Sequence, residues 1–251
     1  MQIHGKVALV TGGAHRIGKA ISMMLAAEGA LVAVNYHQSG PAAQAVVSAV
    51  EANGGRSLAV QADVTDYEAV EGMMDRIESR FGGIDIVVNS AGLFQRTPFP
   101  ISDLEIWRRV TAISIDGSFN VCNCAVPKMR KRSDGGAIIQ IVDGSATQPW
   151  PNFIAHAVGK AGMIALTRQL AAELAPKIRV NAVAAGPVLA PDDLSEQGRA
   201  RIAARTLLGR WGEAEDVATA VRYLLEAEFV TGEVLTVDGG EQLGYRFAGS
   251  I

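Results

Sequence analysis

The chain has 251 residues, 49% hydrophobic and 20% charged, with 23 basic side chains against 26 acidic ones for a formal net charge of −3. That balance carries no global basic field for nucleic acid, and the apolar fraction suffices for a substantial core. Cys122 and Cys124 stand two apart in a helical pattern, where side chains diverge, so neither a disulfide nor a metal site is expected. Short apolar runs rich in Val and Ile predict strands at residues 7–10, 30–34, 57–61, 84–88, 137–142, 179–183 and 234–237. Helical patterns fill the intervals at 17–28, 42–52, 67–81, 103–132, 153–174 and 214–225. Strands with continuous apolar character are buried on both faces, and their alternation with helices implies parallel pairing with right-handed crossovers. The expectation is an α/β chain, a single domain over residues 1–251 built on a doubly wound parallel sheet. Lys128-Met129-Arg130-Lys131-Arg132 reads as a helix end whose cations suit the helix dipole. Residues 187–208 interrupt the rhythm with Pro191-Asp192-Asp193-Leu194-Ser195 and an Arg-rich helix, an excursion expected to form a lid over the site. No charged leader with a long apolar stretch and no membrane-length apolar run is present, so a soluble cytoplasmic protein is expected.

The first strand runs into Thr11-Gly12-Gly13-Ala14-His15-Arg16-Ile17-Gly18, which opens a helix. Glycines let the backbone turn sharply and approach a phosphate, and a helix N-terminus favours its charge. The second strand ends in Asn35-Tyr36-His37-Gln38-Ser39, with no acid to hold an adenosine ribose. Arg16, His37 and Ser39 could instead surround a 2′-phosphate, so NADP(H) is expected over NAD. Asp63 and Val64 follow the third strand, and Asn89-Ser90-Ala91-Gly92 follows the fourth, with Phe94 two residues on. Asp143 closes the fifth strand; His156 lies thirteen positions later and Lys160 four beyond that. An imidazole titrates near neutrality, and a neighbouring ammonium favours its neutral form.

These motifs, in this order, resemble the short-chain dehydrogenase/reductase family over residues 5–242. The glycine turn is similar to the family's Thr-Gly-x-x-x-Gly-x-Gly, with Arg16 at the middle glycine, a departure shared with the pteridine reductase branch. Arg179-Val180-Asn181 through Gly186-Pro187-Val188 resembles Arg-Val-Asn-x-Val-x-Pro-Gly, with Ala185 for the proline, a change expected to loosen the turn. Residues 229–240 look like the closing strand and tail that often serve tetramer contacts. The resemblance implies a Rossmann-type fold in which Gly12, His15, Arg16, Ile17 and Gly18 bind the cofactor phosphates. It places His37 and Ser39 at the adenosine ribose, Asp63 and Val64 at the adenine, and Asn89, Ala91, Gly92, Lys160, Gly186 and Val188 toward the nicotinamide. Asp63 is equally placed for a helix N-cap, and Asn89 is expected to brace the strand ends rather than react.

On the reaction side, the resemblance aligns His156 with the family's catalytic tyrosine, Asp143 with a serine or aspartate, and Ser114 with an asparagine that holds a relay water. Histidine is shorter than tyrosine by roughly 2 Å along the reach direction, which makes direct proton delivery geometrically poor. Arg16, Phe94, Asp143 and Trp150 would meet the substrate, Phe94 either by stacking on a flat pterin or as an ordinary apolar pocket wall. The implied function is an NADPH-dependent reductase of a C=N bond in a dihydropterin-like heterocycle, acting as a homotetramer on a small molecule, with no metal, nucleic acid or membrane partner. One alternative is a carbonyl (3-oxoacyl or ketone) reductase, against which Phe94 and Asp143 weigh because a ketone needs a neutral donor at its oxygen. The other is a catalytically silent NADPH-binding protein, motivated by Ser114 and His156.

Overall fold

The computed structural model describes residues 1–190 and 194–244. Seven strands form one parallel sheet: β1 (Val7–Thr11), β2 (Leu31–Tyr36), β3 (Arg56–Gln61), β4 (Ile86–Asn89), β5 (Gly136–Asp143), β6 (Ile178–Ala185) and β7 (Val234–Val237). Their order is β3-β2-β1-β4-β5-β6-β7, so the chain reverses direction across the sheet between β1 and β4. A crevice outside the carboxyl ends of the strands at that point is where this architecture binds ligands. The expected doubly wound sheet is therefore observed. Its strands are apolar throughout because helices cover both faces, with one buried cluster around Val10, Ile21 and Val221 and another around Leu9, Met73 and Ile138.

The helices are α1 (Arg16–Ala27), α2 (Gly40–Ala52), α3 (Tyr67–Phe81), α4 (Leu104–Arg130), α5 (Ile154–Leu174), α6 (Glu196–Ala203) and α7 (Ala214–Glu226). Helix α3 begins with Asp66, whose side chain accepts from Ala69 N, and stops at Gly82, whose φ of +84° suits a residue without Cβ. Asp66 and not Asp63 is thus the N-cap. Helices α4 and α5 approach closely where Gly159 faces Ser114; a Cβ at 159 would lie 2.8 Å from that of Ser114. Small residues here let α5 lie against α4 beside the carboxyl ends of β4 and β5.

Strand ends differ from the sequence reading in an informative way. β5 and β6 run on through Asp143 and Ala185, which are paired with each other, and Ala185 is also paired with Val237 on β7. Alanine keeps the N–H that proline lacks, so the ladder continues and the turn is not loosened at this position. Among residues 187–208, α6 is the Arg-bearing helix expected; residues 191–193 of that proposed lid lie outside the described residues.

The basic cluster at the end of α4 is paired with acids. Lys128 bridges Asp75 at 2.7 Å and Glu78 at 2.6 Å, and Arg132 Nε donates to Asp85 at 2.7 Å. Asp85 is 1% exposed and also accepts from Val7 N, which ties β1 to the base of β4. Removing one partner of a buried pair strands the other's charge, so Arg132→Ala should cost about 3–5 kcal/mol by urea unfolding. A loss under about 1 kcal/mol would show that water replaces the guanidinium. Cys122 and Cys124 are buried free thiols, and burial pushes Cys122 up to about 12.

Candidate active site

The side expected to hold a dinucleotide is built around β1 and its turn. Gly12 has φ +60°, and a Cβ there would lie 3.0 Å from Ala91 Cα, so β1 and β4 meet with no room for a side chain. A Cβ at Gly18 would stand 2.3 Å from Gly12 O, which locks the start of α1 onto the turn. Arg16, at the middle-glycine position, has φ +50°, a left-handed conformation that costs a non-glycine residue roughly 1 kcal/mol or more. Its guanidinium donates to Leu189 O at 3.0 Å, in the loop after β6. His15 is exposed, while Ile17 packs partly into the core.

His37 is 57% exposed, with Nε2 3.7 Å from Asp63, and a cleft of about 360 Å³ lies beside them, lined also by Gln38, Thr65 and Arg109. Asp63 accepts from Thr65 N and Oγ1, which shapes the loop after β3, and Val64 is buried against Gly117. Ser39 precedes α2 without a side-chain cap bond. Asn89 Nδ2 donates to Ser118 O at 3.5 Å and approaches Cys122 Sγ at 3.4 Å, so it braces β4 against α4, whereas the sequence suggested the strand ends. Gly186 closes the far side: a Cβ would meet that of Asp238 at 2.4 Å, and Val188 is buried behind it.

Two organisers of this turn escaped the sequence reading. Buried Asn35 faces Gly12 N through Oδ1 and donates from Nδ2 to Val60 O and Ala62 O, which knits three strand ends together. Thr11 Oγ1 accepts from Ser90 N and Ala91 N at 3.0 Å each, pinning the loop after β4. A polar residue at the end of an otherwise apolar strand was the available signal.

The structure brings Asp143, His156 and Lys160 together. His156 Nε2 is 2.6 Å from Asp143 Oδ2, and His156 Nδ1 is 3.2 Å from Leu93 O. Asp143 Oδ1 accepts from Ser145 N at 3.0 Å and from Ser145 Oγ. The imidazole does not reach as far as a tyrosine, but an aspartate is longer than a serine, and the two shifts in length meet. Burial raises the Asp143 carboxyl, but the His156 hydrogen bond, the Lys160 charge and Ser145 outweigh it and hold the group below its ordinary value. Lys160 is buried and donates to Ile141 O at 2.8 Å; burial lowers it, against the pull of Asp143. The ammonium expected to bear on the imidazole is thus turned to the β5 backbone, and a carboxyl faces the ring. Ser114 is buried against Gly159, where its small size serves helix packing.

A depressed folded-state carboxyl contributes stability that is complete above its unfolded value near 3.9 and disappears as pH falls through the lower folded value. Urea midpoints should therefore fall more steeply below about pH 4 in the wild type than in Asp143→Asn. Parallel pH curves would remove Asp143 from that balance.

Aromatic rings wall the reaction side. Phe94 is 57% exposed and stacks on Phe153 with centroids 4.6 Å apart and planes at 19°. Its edge contacts are with His156 at 5.1 Å and Trp150 at 6.3 Å. Trp150 in turn lies beside Gly144, in a pocket shared with Gly186, Asp238 and Glu241. Among the described residues, no group of three or more His, Cys, Asp or Glu side chains could hold a metal ion, and no helix is long and apolar enough to cross a membrane.

Residues 12–242 match the family model described as enoyl-(acyl carrier protein) reductase. The 3β-hydroxysteroid dehydrogenase 1 of Eggerthella lenta is 37% identical over 98% of this chain and 97% of its own length. The chain belongs to the short-chain dehydrogenase/reductase family. A second member of this family, the 3-oxoacyl-[acyl-carrier-protein] reductase of Synechocystis sp., is 38% identical over 94% of this chain and 96% of its own. A short-chain dehydrogenase from Burkholderia cenocepacia, solved in complex with NADP, superposes with a TM-score of 0.89 at 35% identity, covering 96% of this chain and all of that one (100%). Short-chain dehydrogenases/reductases are oxidoreductases that use nicotinamide cofactors, and the close-packed Gly12, Gly18 and Ala91 turn leaves the backbone bare where a dinucleotide pyrophosphate would lie.

Proposed function

We propose that this chain is an NADP(H)-dependent oxidoreductase that interconverts a carbonyl and an alcohol on a small apolar molecule. The observation that carries the reading is the 2.6 Å contact between Asp143 and His156, beside buried Lys160, at the carboxyl end of β5. The sequence favoured a dihydropterin; what supports a carbonyl instead is the pair of activities carried by the relatives, a 3-oxoacyl reductase and a hydroxysteroid dehydrogenase. Phe94 packs with Phe153, Trp150 and His156 as one aromatic cluster, which suits an apolar wall beside a ketone. The objection that Asp143 is a poor neighbour for a ketone oxygen loses force when His156 adjoins it, because the two together can supply a proton.

In this reading Gly12, Arg16, Gly18, Asn89, Ala91 and Gly92 hold the dinucleotide, and Lys160 holds the nicotinamide ribose. His37, Ser39 and Arg109 accommodate a 2′-phosphate, and the absence of an acid after β2 supports NADP(H). When bound, the cofactor supplies or accepts the hydride. Phe94, Phe153 and Trp150 orient the substrate, Asp143 and His156 manage its proton, and residues 187–190 and 194–208 close over it. A homotetramer would cover the exposed apolar side chains Ile115, Phe119 and Val158 on α4 and α5.

The test is oxidation of NADPH and NADH with 3-oxoacyl esters, ketosteroids, cyclic ketones and dihydropterins. NADPH-dependent turnover on a ketone is expected. Turnover on dihydropterins alone would restore the C=N reading, and tight NADPH binding without turnover on any of them would favour a silent binding protein.

A further inference from the structure

The two ring nitrogens of His156 both face oxygen acceptors, and this fixes a proton. Leu93 O is a backbone carbonyl with no hydrogen, so the 3.2 Å contact requires the hydrogen on Nδ1. A neutral imidazole then has none left for Nε2, yet Nε2 stands 2.6 Å from Asp143 Oδ2, too close for two facing lone pairs. The other carboxyl oxygen, Oδ1, is taken by two donors, Ser145 N and Ser145 Oγ. An additional proton therefore lies between Oδ2 and Nε2, whichever atom holds it at a given moment. The side chain of Asp143 is 19% exposed and that of His156 5%, with the edge of Phe94 against the imidazole. Among the described residues, the further charge bearing on the pair is Lys160 on α5, whose ammonium donates to Ile141 O.

We infer that Asp143 and His156 hold one proton in common and that Asp143, the exposed partner, hands it to the substrate, while His156 acts through Asp143 as a positioning residue and proton store. The shared proton stands on geometry alone; its delivery rests on the carbonyl reductase reading. In reduction, the carbonyl carbon takes the hydride with its electron pair, and the C=O π pair moves onto oxygen. That oxygen takes the proton from Asp143 Oδ2. The pair is left as a carboxylate and a neutral imidazole protonated on Nδ1, to be recharged by solvent. Oxidation runs the same path backward. The roles assigned to His156 and Asp143 by the family resemblance are thus exchanged: the acid at the strand end reaches substrate, and the residue at the tyrosine position stands behind it.

Proton NMR of the full chain with 15N-labelled histidine tests the first half. A strongly downfield bridging resonance is expected in the wild type and should be lost in both Asp143→Asn and His156→Gln, while a single Nδ1–H persists in Asp143→Asn. Asp143→Ser replaces Asp143→Asn if that variant fails to fold. No such resonance in the wild type, or its survival without the carboxyl, overturns the shared proton. Kinetics test the second half: Asp143→Asn should lower kcat by about 10²–10⁴-fold with the Kd for NADPH little changed. His156→Gln should cost less, and the double variant should be no slower than Asp143→Asn alone. A larger loss for His156→Gln, or losses that multiply, overturns delivery by Asp143. The resonance without turnover on any ketone would overturn delivery and the reductase reading together, yet uphold the shared proton.

Discussion

His156→Tyr on its own should lower ketone turnover at least tenfold, and adding Asp143→Ser should recover most of it. A tyrosine carries its oxygen roughly 2 Å beyond the imidazole nitrogen. Nε2 and Oδ2 are already 2.6 Å apart, so the phenol oxygen would fall on the Asp143 carboxyl. Forcing extra atoms into such a space costs about 1–3 kcal/mol, and Leu93 O loses its donor as well. Serine at 143 retracts the wall, and the phenol introduced at 156 then takes over from Asp143 as donor to the substrate oxygen. The two substitutions should therefore be strongly non-additive in kcat and in the urea midpoint. If the single variant equals the double in both, the pair is looser than its geometry indicates, and the complementary lengths of Asp143 and His156 have no consequence.

Gly18→Ala is expected to weaken NADPH binding by about 100-fold, equivalent to roughly 2.7 kcal/mol. The added methyl would stand 2.3 Å from Gly12 O and 3.0 Å from Gly12 C, both backbone atoms of the turn that should receive the pyrophosphate. Neither can swing aside as a side chain would, so the start of α1 must shift. Gly72→Ala provides the control: it lies in α3 with nothing within 4 Å, so the methyl should leave binding intact and raise stability by about 0.5–1 kcal/mol. Wild-type affinity in Gly18→Ala would show that the turn does not hold the dinucleotide.

The sheet and its helices were legible because buried parallel strands leave continuous apolar runs, and the helices between them keep a helical period. The helical period placed α3 at 67–81, where Asp66 and Gly82 cap it in the structure, although the sequence offered Asp63 as the cap. The ends of β5 and β6 were not, because what extends them is pairing between Asp143 and Ala185, residues far apart in sequence. The candidate cluster was legible as spacing: a strand-end acid, then a helix that returns His156 and Lys160 to it. Its internal contacts were not. Judging His156 alone against a tyrosine made it look short, and only the fold shows Asp143 extending to meet it. The direction of Arg16 was likewise hidden, because its partner Leu189 belongs to the loop after β6. Asn35 was hidden for a related reason: its value lies in joining the ends of three strands through partners 23 to 27 residues away in sequence.

The position of Trp150 gives the protein a native optical probe. Its ring stands 6.3 Å from Phe94, against the pocket beside Gly186, while the chain's other two tryptophans are Trp107 in α4 and Trp211 after α6. Indole emits in the near ultraviolet, where a dihydronicotinamide absorbs, so an occupied crevice should drain the fluorescence of the nearest indole first. Subtracting the emission of Trp150→Phe isolates that signal and turns one side chain of the aromatic wall into a dye-free gauge of occupancy.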